Sequence, residues 1–263
     1  MTGTGRPLAL VTGASGGIGA ALARELARHG HDIVLTARGT EPMEALAVEL
    51  RAAGAAATVI AADLAQPGAA AALADELATS GLAIDVLVNN AGLGAAGRFA
   101  RADPGRIGDM LQVNIVALTE LTRVLLPGMI ARGQGRIMLV ASVAGFQPGP
   151  GWAVYFASKA YVLSLGEALA VELRGTGVSV TTLCPGATAT RFFTVAGADN
   201  SLMGRRLRRM MPAEEVARRG YRGLVAGRRV VVTGTLNRLV ALASRYVPHR
   251  ITLPVTDRLM SED

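Results

Sequence analysis

The chain has 263 residues, 51% of them apolar, and 27 lysine and arginine residues against 20 acidic ones give it a net charge of +7. That length suits one α/β domain with a full core, and no run approaches the about 18 apolar residues a membrane-crossing helix needs. The basic residues are spread along the chain rather than massed in a stripe, which argues against nucleic acid as a partner, and the single cysteine, Cys184, excludes an internal disulfide.

In chain order, Met1 to Pro7 lack the charged-then-apolar layout of a secretory signal, so a cytoplasmic location is expected. Short β-rich apolar runs then predict seven strands, at residues 8–12, 33–37, 57–62, 86–89, 136–142, 178–184 and 229–233. Between them, apolar residues at helical spacing predict helices at 18–29, 41–53, 69–80, 106–131, 152–173 and 213–226. Asp103-Pro104 reads as an N-cap followed by a first-turn proline. Strands alternating with helices need right-handed crossovers, so the expected fold is a doubly wound, Rossmann-type α/β domain. Its seven-stranded parallel sheet carries helices on both faces.

The first strand runs into Thr12-Gly13-Ala14-Ser15-Gly16-Gly17-Ile18-Gly19 and then an amphipathic helix. Glycines between a strand and a helix permit a tight turn and the close approach of backbone N–H groups to a pyrophosphate. At the end of the second strand stand Ala37 and Arg38. An NAD site usually places a carboxylate there for the ribose 2′-hydroxyl; a small neutral residue with a guanidinium beside it suits the 2′-phosphate of NADP instead.

Lys159 is the only lysine in the chain and follows Tyr155 by four residues, so one helical turn brings ammonium and phenol to one face. A lone ammonium among arginines marks a place for a compact charge rather than a planar fork.

The glycine turn, Asp63-Leu64, Asn89-Asn90-Ala91-Gly92, Asn114, Ser142, Tyr155-x-x-x-Lys159 and Pro185-Gly186 together resemble the short-chain dehydrogenase/reductase family, from about residue 7 to 190. The resemblance implies an NAD(P)-dependent oxidoreductase whose cofactor sits on Gly13, Ser15, Gly17, Ile18 and Gly19. Asp63 would hold the adenine amino group with Leu64 beside it, and Asn89 would line the adenine ribose while tying the turn to neighbouring strands. Asn90 and Gly92 read as structural. Thr188 and Thr190 match positions that contact the nicotinamide carboxamide. Some NADP-using relatives carry a basic residue where Gly16 stands, so the 2′-phosphate would depend here on Arg38 and Ser15.

Within that frame Tyr155 is the proton donor in reduction and the base in oxidation, with its pKa lowered by Lys159 and the oxidised nicotinamide. Ser142 holds the substrate oxygen, Lys159 also binds the ribose, and Asn114 holds a water linking the lysine to solvent. The histidines form no metal-ligand pattern.

An apolar pocket is expected from Phe146, Trp152, Phe156, Phe192 and Phe193, with Met203, Met210 and Met211 on a lid at about residues 191–212. Arg205, Arg206, Arg208 and Arg209 in that lid could meet coenzyme A or, with the basic tail at about 235–263, a membrane surface. The expected activity is an NADP-dependent alcohol dehydrogenase/carbonyl reductase for a hydrophobic ketone or secondary alcohol, with NAD possible as cofactor. The alternatives are a 3-oxoacyl thioester reductase and a nucleotide-sensing scaffold without turnover. Relatives usually form homodimers or homotetramers through the two long helices, here 106–131 and 152–173.

Overall fold

The computed structural model describes residues 5–197 and 210–260. Strand β1 (Leu8–Thr12) passes through the glycine turn into α1 (Gly17–Arg28), followed by β2 (Asp32–Ala37), α2 (Thr40–Ala52), β3 (Ala57–Ala61), α3 (Ala69–Thr79) and β4 (Val86–Asn89). Helix α4 (Pro104–Leu111) continues through a π-turn at Gln112–Ala117 into α5 (Leu118–Ala131). Then come β5 (Gly135–Val140), α6 (Ala153–Glu172), β6 (Val178–Cys184), β7 (Thr188–Ala189), α7 (Phe192–Val195) and β8 (Met211–Pro212). The chain ends with α8 (Ala213–Val225), β9 (Val230–Val232), α9 (Thr235–Tyr246) and α10 (His249–Met260).

Seven strands form the expected parallel sheet, in the order β3-β2-β1-β4-β5-β6-β9. Helices cover it on both sides, so the central strands are buried on both faces and read as unbroken apolar runs. Alternation along β1 divides the core: Ala9 and Val11 face α1, α2 and α8, whereas Leu8 and Leu10 face α3, α5 and α6. The chain winds outward from β1 to β3 and returns to lay β4 on the other side of β1. That reversal opens a crevice at the carboxyl ends of β1 and β4, the usual ligand position in such sheets.

The cap of α4 forms as predicted, with Asp103 Oδ1 accepting from the Gly105 N–H at 2.9 Å and Pro104 in the first turn. Two helical stretches, Pro104–Ala131 and Ala153–Glu172, are long and apolar enough to cross a membrane by length and composition, although no unbroken apolar run signals them. Their inward residues, Leu118, Leu121 and Val162, belong to the core beneath the sheet.

The segment read as a basic tail folds into α9 and α10, because its apolar residues keep helical spacing after the last strand. Of the segment read as a lid, α7 lies towards one end and β8, paired with β7, at the other. Met203 and the arginine cluster lie outside the described residues.

Candidate active site

The glycine turn closes against β4 through polar groups that need the sheet to meet. Asn90 Nδ2 donates to the carbonyls of Thr12 (2.9 Å) and Gly13 (3.2 Å), while Thr12 Oγ1 accepts from the N–H groups of Asn90 and Ala91, both at 3.0 Å. A Cβ on Gly19 would stand 2.3 Å from the Gly13 oxygen, so only glycine lets α1 approach β1 this closely. Gly17 takes a left-handed φ of +54°.

At the α1 N-terminus Gly16 makes no side-chain cap, the first turn holds no acidic residue, and a Cβ on Gly16 would meet nothing within 4 Å. Open backbone N–H groups at the positive end of a helix dipole fit a pyrophosphate. Ser15 and Ile18 flank the turn half-buried, and Arg38 stands exposed just beyond β2. No carboxylate occupies the β2 end, so the pattern fits a 2′-phosphorylated dinucleotide.

Asp63 and Leu64 follow β3, where Asp63 Oδ1 accepts from the Ala65 N–H at 3.2 Å. Asn89 is 3% exposed, and its Nδ2 donates to Thr122 Oγ1 on α5 at 2.8 Å. The amide predicted to tie the glycine turn therefore points into the core, and its neighbour Asn90 makes that tie. Thr188 Oγ1 donates to the Gly186 carbonyl at 3.0 Å, and Thr190 Oγ1 accepts from the Phe192 N–H at 3.3 Å. The Thr190 methyl stands 3.0 Å from where a Gly17 Cβ would lie, so the β7 loop meets the glycine turn.

Ser142, Tyr155, Lys159 and Asn114 come together at the carboxyl ends of β4 and β5. Ser142 leaves β5 as the cap of a short 3₁₀ turn (Val143–Phe146), its Oγ accepting from the Ala144 N–H at 3.1 Å and donating to the Pro185 carbonyl at 3.4 Å. It also lies close enough to the Tyr155 hydroxyl to favour the phenolate. Tyr155 and Lys159 lie one turn apart on α6, with Lys159 Nζ 5.8 Å from the phenol ring centroid. Lys159 is 5% exposed and donates to the Val140 carbonyl at 2.9 Å.

Asn114 sits in the π-turn, fully buried, where its Oδ1 accepts from the Leu93 N–H at 2.8 Å. Its Nδ2 donates to the Leu93 carbonyl (2.9 Å) and to Ser158 Oγ (3.0 Å). Both N–H donors are thus committed to protein groups, and the residue clamps the loop after β4 to α6. A Cβ on Gly92 would come within 3.3 Å of Lys159 Nζ and 3.4 Å of Asn114 Oδ1, which explains the glycine between them.

Burial governs the electrostatics. It pushes the Tyr155 phenol up to about 12, against the opposing effect of Ser142. It pushes Lys159 down to about 8, opposed by attraction to Cys184, whose buried thiol is itself raised to about 12. Burial among aromatic side chains sets this direction, and the ammonium is directed to the Val140 carbonyl; the depression expected of Tyr155 involves the oxidised nicotinamide as well as Lys159.

Those side chains are Trp152, Phe156, Phe192 and Phe193, which gather around Tyr155 with ring centroids 5.3 Å apart for Tyr155–Phe192 and 5.6 Å for Trp152–Tyr155. Phe146 instead packs with the core beneath the sheet and Met211 with the opposite cluster, so neither joins this pocket; Met210 is half-buried before β8. The α7 side is held in place by Arg106 Nη2 donating to the Val195 carbonyl at 2.9 Å. Sequence reading missed Gln147, whose amide joins the loop after β5 to α9 and α10 through Ser244 (3.0 Å) and Thr256 (3.1 Å). No local pattern marks it, because both partners lie far along the chain.

The model of the short chain dehydrogenase family matches residues 7–201. Among curated relatives, the ketoacyl reductase HetN of Nostoc sp. is 38% identical over 67% of this chain, and the match spans 62% of that protein. A short-chain dehydrogenase from Sphingobium yanoikuyae in complex with NADPH is 35% identical, with a TM-score of 0.81 over 91% of this chain and 93% of that one. The bulky-bulky ketone specific alcohol dehydrogenase from Comamonas testosteroni is 31% identical, with a TM-score of 0.76 over 93% of this chain and 100% of that one.

Proposed function

The chain belongs to the short chain dehydrogenase family, and from that premise we propose that it is an NADP-dependent carbonyl reductase and alcohol dehydrogenase acting on a bulky hydrophobic ketone or secondary alcohol. The observation that carries this reading is a phenol beside Ser142, one turn from a buried ammonium and packed in a cluster with Trp152, Phe156, Phe192 and Phe193. The NADPH complex of the Sphingobium relative and the bulky ketones of the Comamonas relative support the cofactor and the substrate class.

The open N-terminus of α1 receives the pyrophosphate, Arg38 the 2′-phosphate, Asp63 the adenine edge, and Lys159 the ribose next to the nicotinamide. Thr188 and Thr190 stand where the carboxamide would lie. When bound, reduced NADP supplies the hydride. Ser142 holds the substrate oxygen by a hydrogen bond, and Tyr155 transfers its phenolic proton to that oxygen as negative charge develops on it. The phenol carries its proton at neutral pH, as a proton donor in reduction requires. The aromatic pocket excludes water and selects apolar substituents.

A screen of hydrophobic ketones and 3-oxoacyl thioesters with NADPH, followed at the nicotinamide absorbance, tests the reading. Turnover of bulky ketones above thioesters is expected. The second reading, a 3-oxoacyl thioester reductase, is favoured by the likeness to the ketoacyl reductase of Nostoc, and activity confined to thioesters would establish it in place of the first. Binding of NADPH without turnover of either class would leave the nucleotide-sensing scaffold.

Arg38→Ala should weaken NADPH binding by about 1.5–3 kcal/mol, the scale of a charge-assisted hydrogen bond, and leave NADH binding nearly unchanged. Titration of both nucleotides by fluorescence checks this; equal losses would remove the guanidinium from its assigned place. We further propose that two or four copies associate through the outer faces of Pro104–Ala131 and Ala153–Glu172, where Val116, Val124, Ile130 and Val171 are exposed. A monomer in sedimentation at micromolar concentration would refute it.

A further inference from the structure

Helix α9 carries its apolar face outward. Its inward residues are small or polar: Asn237 donates to the Thr233 carbonyl, Ala241 is 8% exposed, and Ser244 is bonded to Gln147. Outward stand Leu236, Leu239, Val240, Leu242 and Tyr246, with Tyr246 77% and Leu236 73% exposed. On a wheel of 100° per residue these five fill one continuous arc, the inverse of a helix that stores its apolar side in a core. Helix α10 extends the pattern, burying Thr256 and exposing Ile251 and Val255.

Charge decides what this face meets. Residues 235–260 include four arginines, Arg238, Arg245, Arg250 and Arg258, and a single acidic residue, Asp257, which lies 3.4 Å from Arg98. A second copy would bring the same excess of positive charge against itself. An anionic lipid surface supplies both complements, an acyl boundary for the leucines and phosphates for the guanidinium groups.

We propose that α9 and α10 form an interfacial docking surface for an anionic lipid membrane, lying in the plane of the headgroups without crossing it. This surface is separate from the chemistry proposed above, and its test reads vesicle binding rather than turnover.

The test is co-sedimentation of the full chain with phosphatidylcholine vesicles and with vesicles containing about a third phosphatidylglycerol. Binding to the anionic vesicles is expected to be at least about tenfold tighter and to weaken as salt shortens the screening length. Leu239→Ser, Leu242→Ser and Tyr246→Ser combined should reduce it at least about tenfold, since three exposed apolar groups lose their burial in the interface. Arg250→Gln should reduce it about fivefold, the share of one basic residue near such a surface. The NADPH affinity of each variant reports whether the fold is intact. Should the triple variant misfold, Arg250→Gln and the salt dependence still decide. Equal binding to neutral and anionic vesicles, or none to either, would overturn the proposal. So would a dimer that the triple variant dissociates in light scattering without any vesicle binding by the native chain, because a second copy would then cover this face.

Discussion

Tyr155→Phe is expected to lower kcat for NADPH-dependent ketone reduction by at least about a hundredfold while leaving NADPH affinity within about twofold. The phenylalanine ring keeps the neighbours of the tyrosine, with Trp152 at 5.6 Å and Phe192 at 5.3 Å between ring centroids, so the pocket retains its shape. What disappears is the hydroxyl beside Ser142, and with it the proposed general acid. The pH dependence of the native enzyme carries the same signature. A phenol raised to about 12 stays protonated through the neutral and mildly alkaline range, so it imposes no loss of reduction there. Alcohol oxidation needs the phenolate as base, whose fraction grows with pH below that value, so the oxidative rate should climb with pH while the reductive rate does not. Stopped-flow measurement in both directions checks this. A phenylalanine variant that keeps more than about a tenth of native turnover would remove Tyr155 from proton transfer.

Lys159→Arg should cost reduction at least about tenfold even though the charge is retained, because a planar fork does not fit where a compact ammonium does. The lysine is 5% exposed, its Nζ is 2.9 Å from the Val140 oxygen, and Gly92 lacks the Cβ that would lie 3.3 Å from it. A second readout does not depend on turnover. Burial lowers the Lys159 pKa to about 8, against the attraction of Cys184 beside it on β6. The ammonium is therefore present below that pH and lost above it, and a ligand that needs the charge binds with constant affinity below about 8 and progressively more weakly above. NADPH titrations between about pH 7 and pH 10 should show that limb in the native protein and in Tyr155→Phe, and no limb at this pH in Lys159→Arg. Native affinity that is flat across the range would show that the ammonium takes no part in holding the nucleotide.

The sheet was legible because central strands covered on both faces become unbroken apolar runs, such as Leu8–Val11 and Val86–Val88, that no helix period explains. The glycine turn was legible for a related reason: Gly13, Gly17 and Gly19 answer to local backbone demands of a strand turning into a helix. The spacing of Tyr155 and Lys159 needed only the pitch of a helix. Helix α9 was passed over because its apolar period faces outward, and a tail rich in arginine reads the same whether or not it folds.

Residue type and spacing along the chain determined the alternation of strands and helices, the turn at the α1 N-terminus and the one-turn separation of Tyr155 and Lys159, since all of these follow from local conformational preference and period. Only the tertiary structure decided that Asn90 rather than Asn89 ties the turn, that Asn114 clamps Leu93 to Ser158 from a π-turn, and that Phe146 and Met211 leave the pocket. It also decided that Tyr155 holds its proton more tightly than a free phenol. Each of those depends on which groups from distant segments share a dry interior. Desolvation there raises the phenol and lowers the ammonium.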